Sequence, residues 1–284
     1  MEELTKITSA SINLFGHIIT FNPNVFYMTW LVMALIIIVL FLCTRKLTVI
    51  PHKSQNIVEV VVDFIKNITY STLGKEDGKK FFPFIMTLFL FILISNWIGI
   101  VPNFIHFIGV LFAGAHKLLG SENVKITYEG LTYIKLYPDP NAWYAFFFKF
   151  PKIEEPTKFL STDLAAALLV FLVGHASAIK EKGFLAYFKG YMDPVPSHAP
   201  WIFFFFLNPF FYLNIIGELG KVVSHSVRLF GNVFGGGIII FIVATLLRHV
   251  LLPVGLYAFF GLLAGSIQAF VFTMLAVTYI SLAK

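Results

Sequence analysis

The sequence predicts an all-α, polytopic membrane protein with about five membrane-embedded helices and one amphipathic helix on the cytoplasmic face. The last two helices are expected to form a long, steeply tilted hairpin. Three observations predict this class. Only 13% of the 284 residues are charged while 58% are hydrophobic, against roughly 25% charged in soluble domains. A mean hydropathy of +0.82 with 34 Phe requires a solvent in which apolar surface need not be hidden, and the hydrocarbon core is that solvent. Several apolar runs are also long enough to cross about 30 Å at about 1.5 Å per residue.

The net charge of +6 is concentrated in particular loops. It therefore reads as membrane topology, and no nucleic-acid partner is expected. The single cysteine, Cys43, sits in an apolar run and supports neither a disulfide framework nor a metal site. Residues 1–25 lack the basic, apolar and small-residue regions of a cleavable signal and read as an external N-terminal segment.

The first span is predicted over 26–44, and Arg45, Lys46 and Lys53 follow it. This positive excess places 45–53 in the cytoplasm and the N-terminus outside. From 55 to 73, Ile57, Val58, Val61, Val62, Ile65 and Ile68 recur at helical spacing against Glu59, Asp63 and Lys66. This is an amphipathic helix too polar to span, expected along the inner membrane face. After Lys79 and Lys80, a second span runs outward over 82–101 to the Gly99-Ile100-Val101-Pro102 break, so residues 26–102 hold the first two spans.

Residues 103–159 are expected to form an external loop. In it, 121–137 is polar and alternating, Pro138-Asp139-Pro140 marks a turn, and 146–148 is an aromatic run. Residues 160–284 complete the chain. Thr162 or Asp163 can cap a third span running inward to Ile179, where Lys180 and Lys182 restore the inside-positive signature. Residues 201–247 read as one apolar helix of about 70 Å, over twice a bilayer core, which must tilt or break. Arg248, His249 and Pro253 mark a turn, and 254–283 forms the second helix of the hairpin.

The chemistry lies on the first of these long helices. Ser224, Arg228 and Asn232 are spaced by four and Lys221 lies seven before Arg228, so they share one face. A guanidinium near midbilayer costs at least ~2.5 kcal/mol and keeps its proton, so it must meet a carboxylate, a polar cavity or water. Glu218 is ten residues from Arg228, about 15 Å along the axis. It can pair with Lys221, three residues away, but not easily with Arg228. The partner of Arg228 is therefore a carboxylate on another chain or a transported anion. Gly231 and Gly235-Gly236-Gly237 permit a bend or the close approach of another helix. Gln268 is a buried amide able either to face Arg228 or to bond between helices. His225, beside a fixed cation, is not expected to act as a relay. No phosphate loop, nucleophile elbow or paired metal-ligand motif occurs, so no bond-making catalytic centre, metal or cofactor is expected.

Ser224-His225-Ser226-Val227-Arg228-Leu229-Phe230-Gly231-Asn232 resembles the central motif of subunit a of F-type ATP synthases, the membrane stator facing the rotating c ring. Asn96-Trp97-Ile98-Gly99-Ile100-Val101-Pro102 is similar to that family's Asn-x-x-Gly-x-x-Pro span end, and Gln268-Ala269-Phe270-Val271-Phe272 to its last helix. The resemblance covers nearly the whole chain from residue 50. It implies a non-catalytic ion-translocating subunit with two offset half-channels, in which Arg228 is the essential arginine that prevents leakage. Ser224 and Asn232 are its polar neighbours, Gln268 its partner on the last helix and Lys221 a basic position seen in the family. Glu218 joins these as a candidate. The implied partners are the c-subunit ring, whose carboxylates pass Arg228, the peripheral-stalk b subunits, the rest of the synthase and membrane lipids.

The chain departs from the family pattern in three places. Gly237 stands where many relatives carry a glutamate, and Gly261 where some carry a histidine. The Pro-Thr-Ala-Asp-x-Asn entry to the third span survives only as Pro156-Thr157, with Phe159 and Ser161 in the acidic and amide places and Asp163 and Thr162 as substitutes. Asn214 replaces a glutamate common fourteen residues before the arginine. A path depleted of proton-relaying side chains suits hydrated Na⁺ at least as well as H⁺, and Na⁺ is slightly favoured. Two other classes compete with this reading. A secondary transporter binding an anion at Arg228 predicts internal repeats, which the sequence lacks. A structural scaffold leaves the buried charges without a purpose.

Overall fold

The computed structural model describes residues 10–14, 17–45, 53–101, 103–119, 125–129, 133–137, 142–149, 153–191, 209–247 and 251–283. Among the described residues, five helices are long and apolar enough to cross a membrane: Pro23–Thr44, Gln55–Ile98, Leu160–Lys182, Pro209–Leu246 and Gly255–Ala283. The chain is a helical, multi-pass membrane protein, as its composition predicts. Lys46, Pro102, the Pro138-Asp139-Pro140 turn, residues 201–208, Arg248 and His249 lie outside the described residues.

The described part opens with a hairpin of β1 (Ala10–Leu14) and β2 (His17–Phe21), antiparallel from Ala10↔Phe21 to Leu14↔His17. Helix α1 (Pro23–Thr44) begins three residues before the predicted Phe26. The reason is a cap: the Asn22 side-chain oxygen accepts the Asn24 N–H at 3.0 Å, and Pro23 occupies the first helical position, where no N–H is needed.

Helix α2 (Lys53–Ile98) contains both the predicted amphipathic segment and the second span. They are separated at Gly74, whose φ of 80° and ψ of 177° are accessible essentially only to glycine. The 103–159 segment holds more regular structure than a loop. Helix α3 (Phe104–Leu118) is apolar but, at about 22 Å, too short to span. It packs on α4 (Ala145–Lys149), with buried Ala113 and Tyr144 at the centre and Ala142, Phe147 and Phe148 around them. Between them, β3 (Lys125–Glu129) and β4 (Tyr133–Tyr137) pair antiparallel, the outcome of the alternation noted over 121–137.

Helix α5 (Leu160–Lys182) is the third span. Its N-cap residue is Phe159, with no side-chain cap, so neither Thr162 nor Asp163 has the expected capping role. Asp163 instead points inward and is completely buried. The short helix α6 (Phe184–Gly190) follows through Gly183, at φ 82°. Helix α7 (Pro209–Leu247) is about 58 Å long at 1.5 Å per residue, and its described part begins at Pro209. Pro253 lies not in a turn but within α8 (Leu251–Ala258), near its start, where a missing N–H costs nothing. A π-helical turn, Phe259–Ala264, carries the chain into α9 (Gly265–Ala283).

Two compact units can be distinguished. The first gathers the described residues of Met1–Leu35, Leu93–Lys158 and Asn232–Ser266. Within it Asn96 is buried; its amide donates to the Gly265 carbonyl at 3.0 Å and its oxygen accepts the Thr157 hydroxyl at 2.8 Å. The Trp97 indole donates to Ser266 at 3.0 Å. The second unit gathers Ile36–Ile92, Phe159–Gly231 and Ile267–Lys284. Its core follows helical spacing: Ala166, Ala167, Val170, Gly174 and Ala178 from α5, and Ala269, Phe272, Ala276, Val277 and Ile280 from α9. Small residues on both sets let backbones approach closely.

Candidate functional site: the polar stripe and the cavity beside Glu218

Helix α7 carries the candidate residues because its two faces differ. Phe211, Val222, His225, Ser226 and Leu229 are buried, and Val222, His225, Ser226 and Leu229 share one face through spacings of three and four. His225 lies edge-on to Phe272, ring centroids 3.7 Å apart, with Tyr279 at 5.5 Å. It is packed into the core of its unit. The opposite face is exposed and apolar, with Ile216, Leu219, Val223 and Val227, and beside this strip stand Ser224 and Arg228, also exposed. Arg228 makes no hydrogen bond or ion pair among the described residues.

Gln268 is buried on α9 and its amide nitrogen has no hydrogen-bond partner among the described residues. The structure therefore does not join it to Arg228. Asn232 belongs to the other unit and is half-buried there.

Glu218 and Lys221 form the ion pair their spacing predicts, Nζ to Oε1 at 2.6 Å. The pair is not isolated. The second oxygen of Glu218 lies 3.8 Å from His175 Nε2 of α5, and His175 Nδ1 is hydrogen-bonded to the Tyr187 hydroxyl. The Tyr187 and Tyr191 hydroxyls meet at 2.6 Å. Asn214 donates to the Tyr191 carbonyl at 2.9 Å, tying α7 to the end of α6. Burial raises the affinity of the Tyr187 and Tyr191 hydroxyls for their protons, so both stay neutral.

This cluster borders a cavity of about 260 Å³ lined by His175, Lys182, Tyr187, Tyr191, Asn214 and Glu218. A second space of about 30 Å³ shares His175 and Glu218 with it and extends past Lys221 to His225, one helical turn from Arg228. Sequence reasoning found Glu218 and Lys221 but missed His175, Tyr187 and Tyr191. The i, i+4 spacing of the tyrosines and Gly183 before them were the available signals.

The first unit contains Gly237 and Gly261, two of the positions where the sequence departs from the family pattern, whereas Phe159, Ser161 and Asn214 belong to the second. The place a side chain at Gly261 would occupy is filled by Ile100, and a side chain at Gly265 would press on Asn96 at 2.9 Å. Around Gly237 nothing lies within 4 Å. Glu155 packs over Gly99, leaving no room for a Cβ there, and burial pushes its carboxyl up to about 7 despite nearby Lys158. In the second unit, both carboxylate oxygens of Asp163 are buried without a hydrogen-bond partner among the described residues. No cluster of three His, Cys, Asp or Glu able to hold a metal ion occurs among the described residues.

Residues 26–281 match the family model described as ATP synthase A chain. The chain is 34% identical to ATP synthase subunit a of Trichlorobacter lovleyi over 265 residues, covering 93% of this chain and 88% of that one. It is 34% identical to ATP synthase subunit a of Geotalea daltonii over 253 residues, covering 89% and 83%. For ATP synthase subunit a of Geobacter sulfurreducens the identity is 33% over 265 residues, covering 93% and 89%.

Proposed function

The chain belongs to the ATP synthase subunit a family, and from that premise we propose that it is the non-catalytic, ion-translocating stator subunit of the membrane motor, working through Arg228. The observation that carries this reading is the exposed guanidinium on an apolar face, without a partner among the described residues of its own chain. Such a charge is tolerable in a membrane only opposite a carboxylate, a polar cavity or water. A ring of c subunits, each presenting a carboxylate, fits the exposed face of α7. An ion-free carboxylate is stabilised beside Arg228 and an ion-loaded neutral one is not, so ions leave before passing and load afterwards. Arg228 thereby blocks a direct leak between two offset half-channels. Ser224, Asn232 and Gln268 supply polar groups near it, while Glu218 and Lys221 belong to the inner half-channel. Peripheral-stalk b subunits complete the stator, and the N-terminus lies outside a bacterial plasma membrane.

The coupling ion that the geometry favours is H⁺, because Glu218, His175, Tyr187 and Tyr191 place exchangeable protons along one cavity. Na⁺ is the second reading, favoured by the absence of titrating side chains at Gly237 and Gly261. The purified synthase in liposomes tests both. The expected result is ATP-driven acidification at neutral pH that needs no Na⁺. A strict requirement for Na⁺ assigns the ion to the second reading, and no coupled transport of either ion contradicts the stator role.

A further inference from the structure

Helices α5, α6 and α7 bring four titratable or hydroxyl groups into one line beside the larger cavity. The line runs from the Glu218 carboxylate to His175 at 3.8 Å, from His175 to the Tyr187 hydroxyl, and from there to Tyr191 at 2.6 Å. We infer that His175 and the hydroxyls of Tyr187 and Tyr191 form a proton-conducting chain running from Glu218 along the wall of the 260 Å³ cavity that all four residues line, making this path selective for H⁺ over hydrated metal cations. The inference rests on the stator reading and adds to it the residues that carry the ion on one side.

The geometry assigns a role to each group. Protonated Glu218 delivers a proton to His175 Nε2 as Nδ1–H releases one to the Tyr187 oxygen. Tyr187 passes its own hydroxyl proton to Tyr191, and Tyr191 gives one to water in the cavity. His175, Tyr187 and Tyr191 each take one proton and yield one, so none of the three is left charged, and Glu218 returns to the carboxylate that pairs with Lys221 until the next proton reaches it. Rotation of the hydroxyls and the return tautomer of the imidazole reset the chain. The 3.8 Å gap is within reach of a small side-chain adjustment or one bridging water, and the 30 Å³ space beside Glu218 and Lys221 is large enough to hold one.

The surrounding charges suit protons better than Na⁺. From α7 the Lys221 ammonium holds Glu218 at 2.6 Å; from α5 Lys182 lines the cavity and donates to the Ala283 carbonyl at 3.1 Å; from α9 Tyr279 faces Lys221 at 5.9 Å. A metal cation lodged at Glu218 would share the carboxylate with one ammonium and pass a second. A proton moving along neutral hydroxyls never presents a full charge to either. Asn214, which holds the Tyr191 carbonyl, keeps α6 against α7 and so positions the hydroxyls.

The test uses the whole synthase reconstituted in liposomes, with the substitutions Tyr187→Phe, which keeps the ring, and His175→Ala, which opens space for a small base. Both are expected to lower ATP-driven H⁺ transport by about tenfold or more with the complex assembled. Added imidazole is expected to restore His175→Ala but not Tyr187→Phe, a result that a merely structural histidine would not give. H⁺ transport at the wild-type rate in Tyr187→Phe, or loss in His175→Ala without rescue by imidazole, overturns the chain. If the wild-type complex itself shows no coupled transport, the stator reading fails and not this inference alone.

Discussion

Arg228 and Gly261 show how single positions carry the account. Arg228 is exposed on an apolar face, where a lipid surrounding alone would cost at least ~2.5 kcal/mol; the charge is sustained only if another surface supplies its counterpart. Gly261 is the opposite case. Ile100 already fills the space a side chain would take there, whereas Gly237 opens onto room. Replacing Gly261 with His must displace Ile100 and is expected to cost about 1–3 kcal/mol, as overpacking does. Thermal unfolding of the purified complex measures this, and Gly237→Ala, which meets nothing, is expected to leave the transition in place. Unchanged melting of Gly261→His would show that Ile100 is not held there. Arg228 was legible in the sequence because a charge is conspicuous in an apolar run. The filling of position 261 was not, because Ile100 lies 161 residues away.

At the scale of elements, glycines at positive φ decide what the helices can reach. Gly183, at φ 82°, redirects the chain after α5 so that α6 returns its tyrosines toward His175. Gly74 separates the amphipathic segment from the second span, with the Tyr70 ring 3.0 Å from where a Cβ at Gly78 would stand. Gly74→Ala should therefore destabilise the fold by about 1–3 kcal/mol, the cost of a side chain in a glycine-only conformation. Thermal melts of the purified complex in detergent read this loss. A melting point equal to the wild type would mean that the break tolerates any residue. Helix existence and the polar stripe were readable from periodicity, whereas ends were less so. Asn22 starts α1 early, and α3 was hidden in an expected loop because a mostly apolar stretch of fifteen residues is too short to register as a span. The π-helical turn at Phe259–Ala264 leaves no mark in composition.

For the whole molecule, the five long apolar helices and the family match establish a multi-pass subunit a. Its costliest charge has no internal partner among the described residues, and the small space beside its titratable cluster reaches His225, one turn from that charge. In the proposed reading a carboxylate moving past Arg228 carries the ion across that interval. The sequence revealed the charge and the pair Glu218–Lys221, since both lie on one helix at fixed spacing. His175 and the two tyrosines join them only through the packing of three helices, which no linear pattern encodes.

The most direct test is ATP-driven ion transport by liposomes holding the complete synthase with Arg228→Ala beside the wild type. Loss of transport in an assembled complex that still binds its ring is the predicted result. Coupled transport at the wild-type rate without Arg228 would contradict the central claim that this guanidinium governs the passage of ions.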